Sequence, residues 1–293
     1  MFQPKISIII PVYNGSNYLK DAIQSALNQT YKNIEVLVIN DGSNDNGQSE
    51  KIALSFWEQI KYFYKENGGV STALNLWISE AQWDYISWLS HDDLYYPEKI
   101  KLQVQFLEKK ENKNIIIYSN LDIIDSTGKI VSKSNLNFEN TNETTFLYDL
   151  ITQHTINGCT LLIPKSIFKS VGDFDKNLRT VQDYDMWIRL YKYIPFEKLD
   201  IPLIQSRHHP QQWARHPDIF IRMMQEEYHL YSSFIKDVWM KKIRHYYSWN
   251  TFWFFINFII KYCWKIFLIL PLFIYIWKFQ YGRKLISKIR WSL

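Results

Sequence analysis

Two cysteines in 293 residues, Cys159 and Cys263, are too few and too far apart for a disulfide framework or a metal knuckle. The chain is therefore expected to work in a reducing compartment. No Gly-x-Gly-x-x-Gly follows the first apolar run and no Gly-Lys-Ser/Thr occurs, which counts against dinucleotide oxidoreductases and P-loop enzymes. No Ser/His/Asp or Cys/His pattern suggests a covalent nucleophile. The opening Met1-Phe2-Gln3-Pro4-Lys5 has no charged stretch ahead of a long apolar one, so no signal peptide is expected. Long apolar runs are lacking as well. Ile266–Trp277 is uninterrupted for twelve residues, about 18 Å as a helix against a bilayer core of about 30 Å.

What is present is apolar and aromatic. Hydrophobic residues make up 47% and aromatic residues 17%, enough for a sizeable core. The length suits one large α/β domain or a domain with an appendage. The net charge of +5 conceals a division. Residues 236–293 hold eleven of the 34 Lys and Arg but only one of the 29 acids, so they carry +10 and the preceding residues −5. An acidic body with a basic, aromatic tail argues against nucleic acid and for an anionic membrane surface.

Apolar runs alternate with helical periodicity through the first hundred residues. Ile6–Val12 reads as a strand buried on both faces of a parallel sheet, followed by the turn Tyr13-Asn14-Gly15-Ser16. Ser16 or Asn17 is expected to cap a helix through Leu27. Ile34–Ile39 is a second strand ending in the polar loop Asn40–Asp45, and a helix and a short strand at Ile60–Tyr64 follow. Lys65–Ser71 is a glycine loop ahead of a helix burying Val70, Ala73, Leu74, Trp77, Ile78 and Ala81. Tyr85–Leu89 is the next strand. It runs into Ser90-His91-Asp92-Asp93, and Pro97 suits the first turn of a helix from Glu98 to about Lys109. This alternation predicts a doubly wound sheet. The loops carrying Asn14, Asp41 and Asn67 then fall on the same edge as Asp92 and Asp93, where open α/β sheets place ligands. Two adjacent carboxylates are costly without a positive partner, and a hard divalent cation with phosphate oxygens would supply one.

Pro11-Val12-Tyr13-Asn14, Asp41-Gly42-Ser43, Glu66-Asn67-Gly68-Gly69-Val70 and Asp92-Asp93 before Pro97 form an ordered set that resembles the family 2 glycosyltransferases. The resemblance spans roughly residues 5–210. It implies a GT-A fold, a Rossmann-like and mostly parallel central sheet flanked by helices, and a nucleotide-sugar donor. It implies that Pro11, Val12, Tyr13 and Asn14 line the base and ribose and that Asp41 hydrogen-bonds the base. Asn67, Gly68 and Gly69 would border the nucleotide. Asp92 would hold Mg²⁺ or Mn²⁺ on the diphosphate, with Asp93 beside it contacting the donor sugar or the metal. Ser90 stands where the family often has an acid, and Leu74 where it commonly has Arg.

Further on, Ile115–Asn120 and Ile156–Pro164 are expected strands, and Asp122–Glu143 a polar loop with a hairpin near Ser126–Lys129. Asp183–Leu190 reads as an amphipathic helix, with Tyr184, Trp187, Ile188 and Tyr191 inward and Asp183 in its first turn, where the helix dipole favours a carboxylate. The family pattern at this place is Glu-Asp-x-Asp, with the first Asp as general base. This implies that role for Asp183, with Gln182 replacing Glu; Asp185 is expected to be structural. After a strand at Ile201–Gln205, Arg207 and His209 match an Arg-x-His pattern and imply diphosphate contact by Arg207 and metal contact by His209.

The expected domains are a catalytic domain over residues 1–215 and a helical, basic and aromatic region over 216–293. Pro217 to about Lys236 reads as a helix, with Phe220, Met223, Met224 and Tyr228 on one side. Asn257, Lys261 and Lys265 share one face of the later stretch, which favours helices lying in the membrane interface over a span. The expected activity is an inverting transfer from a nucleotide-diphosphate-sugar to a hydroxyl, on a lipid-linked or cell-surface saccharide, at the cytoplasmic face of the membrane. A sugar-phosphate nucleotidyltransferase and a non-catalytic membrane-binding module remain alternatives.

Overall fold

The computed structural model describes residues 2–80, 84–134, 156–210 and 221–227, together with Leu150, Gln212, Ile219, His229 and Leu230. The chain divides into two units, residues 1–233 and 234–293. All described residues lie in the first. The expected interfacial helices and the segment 135–149 fall outside the described residues.

The alternation read from the sequence is the alternation observed. β1 (Ile6–Val12), α1 (Leu19–Leu27), β2 (Ile34–Asp41), α2 (Gln48–Leu54), β3 (Lys61–Lys65), α3 (Val70–Glu80) and β4 (Tyr85–Trp88) follow one another. The strands lie in the order β3-β2-β1-β4, all parallel. Every residue of β1 is buried, as a central strand covered on both faces requires. On α3, Ala73, Leu74, Trp77 and Ile78 are buried as expected, while Val70 is only half-buried and Ala81 is outside the described residues. The short β8 (Ile163–Pro164) adds to β4 antiparallel and makes the sheet mixed.

A second sheet was not expected. β5 (Leu94–Tyr95), β6 (Ile116–Ile124), β7 (Ile130–Ser134) and β9 (Phe196–Arg207) form it in the order β5-β9-β6-β7. The hairpin near Ser126–Lys129 is present, but Asp122 lies inside β6 rather than in a loop. The strand expected at Ile156–Pro164 is instead irregular backbone with a 3₁₀ turn, Gly158–Thr160, leading to the two residues of β8. α4 spans Lys99–Glu108, beginning one residue later than expected, with Pro97 in the preceding turn. At α1 neither Ser16 nor Asn17 is the cap. Tyr18 holds that position, and the Gly15 carbonyl accepts from the Tyr18 and Leu19 N–H groups at 3.2 and 3.0 Å. α5 (Phe168–Val171) precedes α6 (Gln182–Tyr191). α6 buries Tyr184, Trp187 and Ile188 as expected and also Met186 and Leu190, whereas Tyr191 is half-buried.

The two sheets meet at the carboxyl end of β4. Tyr95 of β5 donates its N–H to the Ser25 hydroxyl of α1, and its phenol donates to the Trp88 carbonyl of β4 at 2.6 Å. β5 also pairs Leu94 with Gln205 of β9. The turn carrying Asp92 and Asp93 is thus fastened on one side to β4 and on the other to β9.

Candidate active site

The loop after β1 is exposed only from Tyr13 onward. Pro11 and Val12 are buried within the strand, paired with Ile39 and Asn40 of β2. Asn14 has φ 51°, in the left-handed region that Asn tolerates. Its amide exchanges two hydrogen bonds with Asn44, donating to the side-chain oxygen at 2.7 Å and accepting from the backbone N–H at 2.8 Å. The first two loops are therefore zipped together.

Asp41 ends β2 and organises the third loop. Its carboxylate accepts from the Gly68 N–H at 3.1 Å and the Gly69 N–H at 2.7 Å, and it pairs with the Lys65 ammonium. Its carbonyl accepts from the Asn67 amide at 2.8 Å. Asp41, Asn67, Gly68 and Gly69 are thereby brought into one cluster, with Lys65 as a member that the sequence did not single out.

The carboxylate pair splits into two environments. Asp92 Oδ2 stands 3.2 Å from His209 Nε2, and His209 is buried, with no hydrogen-bond partner for its Nδ1 among the described residues. Its ring packs against Tyr18 at 4.9 Å between centroids. Asp93 instead faces inward. It accepts the Arg207 N–H at 2.8 Å and sits beside Cys159 and Ser206. Burial, reinforced by the Asp92 charge, pushes the Asp93 carboxyl up to about 7. Burial likewise holds the His91 imidazole below its ordinary value. His91 packs so closely on Gly15 that a Cβ there would lie 2.3 Å from its ring, which links the carboxylate turn to the loop after β1.

Arg207 lies beneath this turn. Its Nε donates to the Asp92 carbonyl at 2.9 Å, its Nη1 reaches the Asp125 and Ser126 carbonyls at 3.3 Å each, and its guanidinium covers the Tyr18 ring at 4.4 Å. Only 3% of the residue is exposed. Through Nε and Nη1 this guanidinium ties the Asp92 turn to the β6–β7 hairpin.

Asp183 lies in the first turn of α6, where its Oδ1 accepts the Tyr184 N–H at 2.9 Å, and it is half-buried. Asp185 makes a two-point pair with Arg189, at 2.9 Å to Nε and 2.6 Å to Nη2, the structural role expected of it. Among the described residues no three His, Cys, Asp or Glu side chains are grouped closely enough to hold a metal by themselves. Asp92 and His209 offer one oxygen and one nitrogen, which suits a cation whose remaining ligands are phosphate oxygens and water.

Residues 7–172 match the family described as Glycosyl transferase family 2. The chain belongs to glycosyltransferase family 2. An uncharacterized glycosyltransferase of Rickettsia typhi is 44% identical over 237 residues, covering 80% of this chain and 73% of the relative. One of Rickettsia conorii is 48% identical over 219 residues, and there the chain spans only 36% of the relative's length. Chondroitin synthase of Pasteurella multocida is 29% identical over 200 residues, covering 67% of this chain and 20% of the synthase. Among solved structures, Staphylococcus aureus TarS in complex with UDP-GlcNAc superposes with a TM-score of 0.60 at 18% identity, over 75% of this chain and 65% of that one. The family 2 chain thus shares its mixed α/β fold with TarS.

The sequence singled out the loops of Asn14, Asp41 and Asn67 and the carboxylates Asp92 and Asp93, but not Lys65, Tyr18, Cys159, Arg179 or Glu226. Lys65 lay within a loop already marked by its glycines. Glu226 and Arg179 are 47 residues apart, and no local pattern joins them.

Proposed function

We propose that this family 2 glycosyltransferase transfers a sugar from a nucleoside-diphosphate-sugar to a hydroxyl group with inversion at the anomeric carbon. The observation that supports the reading most is the meeting of Asp92, from the end of β4, with His209, from the end of β9, beside the loops of Asn14, Asp41 and Asn67. The ends of β1, β2, β3 and β4 lie on the carboxyl edge of the parallel sheet, where a nucleotide is bound in open α/β folds, and β9 of the second sheet brings His209 to it.

In this reading Tyr13 and Asn14 meet the nucleoside, Asp41 lies at the base, and Asn67, Gly68 and Gly69 border the nucleotide. Asp92 and His209 would hold Mg²⁺ or Mn²⁺. That cation supplies charge neutralisation for the departing diphosphate. Asp93 backs the turn from within. Arg207 fixes the Asp92 carbonyl and so the direction of its carboxylate. Asp183 takes the proton from the acceptor hydroxyl as that oxygen attacks the face opposite the leaving group. Because the acceptor oxygen replaces the diphosphate in a single displacement, no covalent intermediate on the chain is required.

The acceptor is proposed to be a lipid-linked or cell-surface saccharide, because residues 236–293 are basic and aromatic and suit an anionic membrane surface at its cytoplasmic face. Among the described residues no helix is long and apolar enough to cross a membrane.

The test is a kinetic comparison of wild type with Asp183→Asn on a panel of nucleotide-sugars. Asp183→Asn is expected to bind donor as wild type does and to lose roughly 10²–10⁴-fold in transfer. Retained transfer would reject Asp183 as the base.

A further inference from the structure

The segment that enters α6 is held by a residue far along the chain. Residues 221–227 are helical, and the Glu226 carboxylate accepts from the Arg179 N–H at 3.1 and 3.0 Å, the Thr180 N–H at 2.8 Å and the Thr180 hydroxyl at 2.7 Å. Arg222 lies 3.8 Å from the same carboxylate, whose side chain is only 14% exposed. α6 has no side-chain cap of its own, since Val181 stands at its N-cap. The two residues before that position are thus fixed by a charge-assisted set of bonds from outside the helix.

So placed, Arg179 reaches the donor loop. Its Nη1 donates to the Gly68 carbonyl at 2.7 Å. The approach is close enough that a Cβ on Gly69, which has φ +86°, would lie 2.3 Å from that nitrogen. Gly69 is thus needed both for its backbone conformation and for the room it leaves the guanidinium. Arg179 as a whole is exposed, so one guanidinium donor is spent on Gly68 and others face solvent at the edge of the loop. Arg207 contrasts with it: that residue is buried, and its Nε and Nη1 donate to backbone carbonyls of the Asp92 turn and the β6–β7 hairpin. Of the two arginines, Arg179 is the one placed to meet an anionic ligand lying on the glycine loop.

We propose that Arg179 binds the diphosphate of the donor and that Glu226 is a positioning residue that holds Arg179 over Gly68 and Gly69. The inference rests on the reading of the site as a nucleoside-diphosphate-sugar site. It joins the donor loop after β3 to the segment before Asp183, so that a bound diphosphate steadies the entry to α6.

The experiment is calorimetric titration of the full chain with UDP, GDP and dTDP, and with the matching nucleosides. Thermal melting of each variant is recorded alongside. Arg179→Ala is expected to weaken diphosphate binding roughly tenfold or more and to leave nucleoside binding unchanged. Arg179→Lys, which keeps the charge without the fork, falls between. Glu226→Ala weakens diphosphate binding as Arg179→Ala does, Glu226→Gln restores part of it, and the double variant is no worse than Arg179→Ala alone. Equal diphosphate binding by Arg179→Ala and wild type, or an equal loss for nucleoside and diphosphate, overturns the assignment of Arg179. Undiminished binding by Glu226→Ala overturns the role of Glu226. A wild-type chain that binds none of the three diphosphates overturns the donor-site reading itself, and this inference with it.

Discussion

His209 Nε2 lies 3.2 Å from Asp92 Oδ2, although 117 residues separate them in the chain. The contact exists because β5, only two residues long, pairs with the far end of β9 and draws the Arg207–His209 turn onto the carboxylates. Replacing His209 with Ala is expected to leave the fold intact and to weaken metal-dependent nucleotide binding. Calorimetry with and without Mn²⁺ measures this. A variant with wild-type metal dependence would show that the imidazole only packs.

Arg207 offers a separable prediction. Its Nε bond to the Asp92 carbonyl and its contacts with Asp125 and Ser126 are buried. Arg207→Ala strands these acceptors and should cost about 1–3 kcal/mol or more of stability. Denaturant unfolding measures the loss. An Arg207→Ala protein that is fully stable yet fails to bind nucleotide would instead point to direct ligand contact.

Gly15 and His91 make a steric prediction. A methyl group at Gly15 meets the His91 ring at 2.3 Å and Val12 at 2.7 Å. Gly15→Ala should destabilise by about 1–3 kcal/mol, and Gly15→Ala with His91→Ala should recover part of the loss. Absence of recovery would show that the Val12 contact dominates.

A buried lysine gives a pH signature. Lys99 is fully buried, donating to the Ser87 hydroxyl at 2.8 Å and Gln103 at 3.0 Å, and burial pulls its amine down to about 7. Between pH 7 and the ordinary lysine value the unfolded chain binds a proton that the folded chain does not. By linkage, stability contributed by this group rises with pH across that window. Unfolding midpoints for wild type should therefore rise relative to Lys99→Met from pH 7 to pH 10. Parallel curves would contradict the neutral amine.

Much of the site was legible because parallel strands buried on both faces leave unbroken apolar runs, and the turn residues after them stand out. β1, β2, Asp41 and Asp92 were read in that way. β9 was not read in full: its first seven residues are half-buried or exposed, and Asp200 and Pro202 interrupt any alternation. Its register with β6 also shifts at Ser119–Leu121. β5 and β8, two residues each, carry no periodicity at all. The separation of Asp92 from Asp93 likewise depends on Arg207 and Cys159, which the adjacent carboxylates could not reveal.

The most direct test is the metal dependence of nucleotide binding in wild type and Asp92→Ala, measured by calorimetry across UDP, GDP and dTDP. A site built on Asp92 predicts that Mg²⁺ or Mn²⁺ tightens wild-type binding of at least one of these by roughly tenfold or more, a difference of about 1.4 kcal/mol, and has no effect on Asp92→Ala. Equal binding with and without metal in wild type, or an undiminished metal effect in Asp92→Ala, would contradict it.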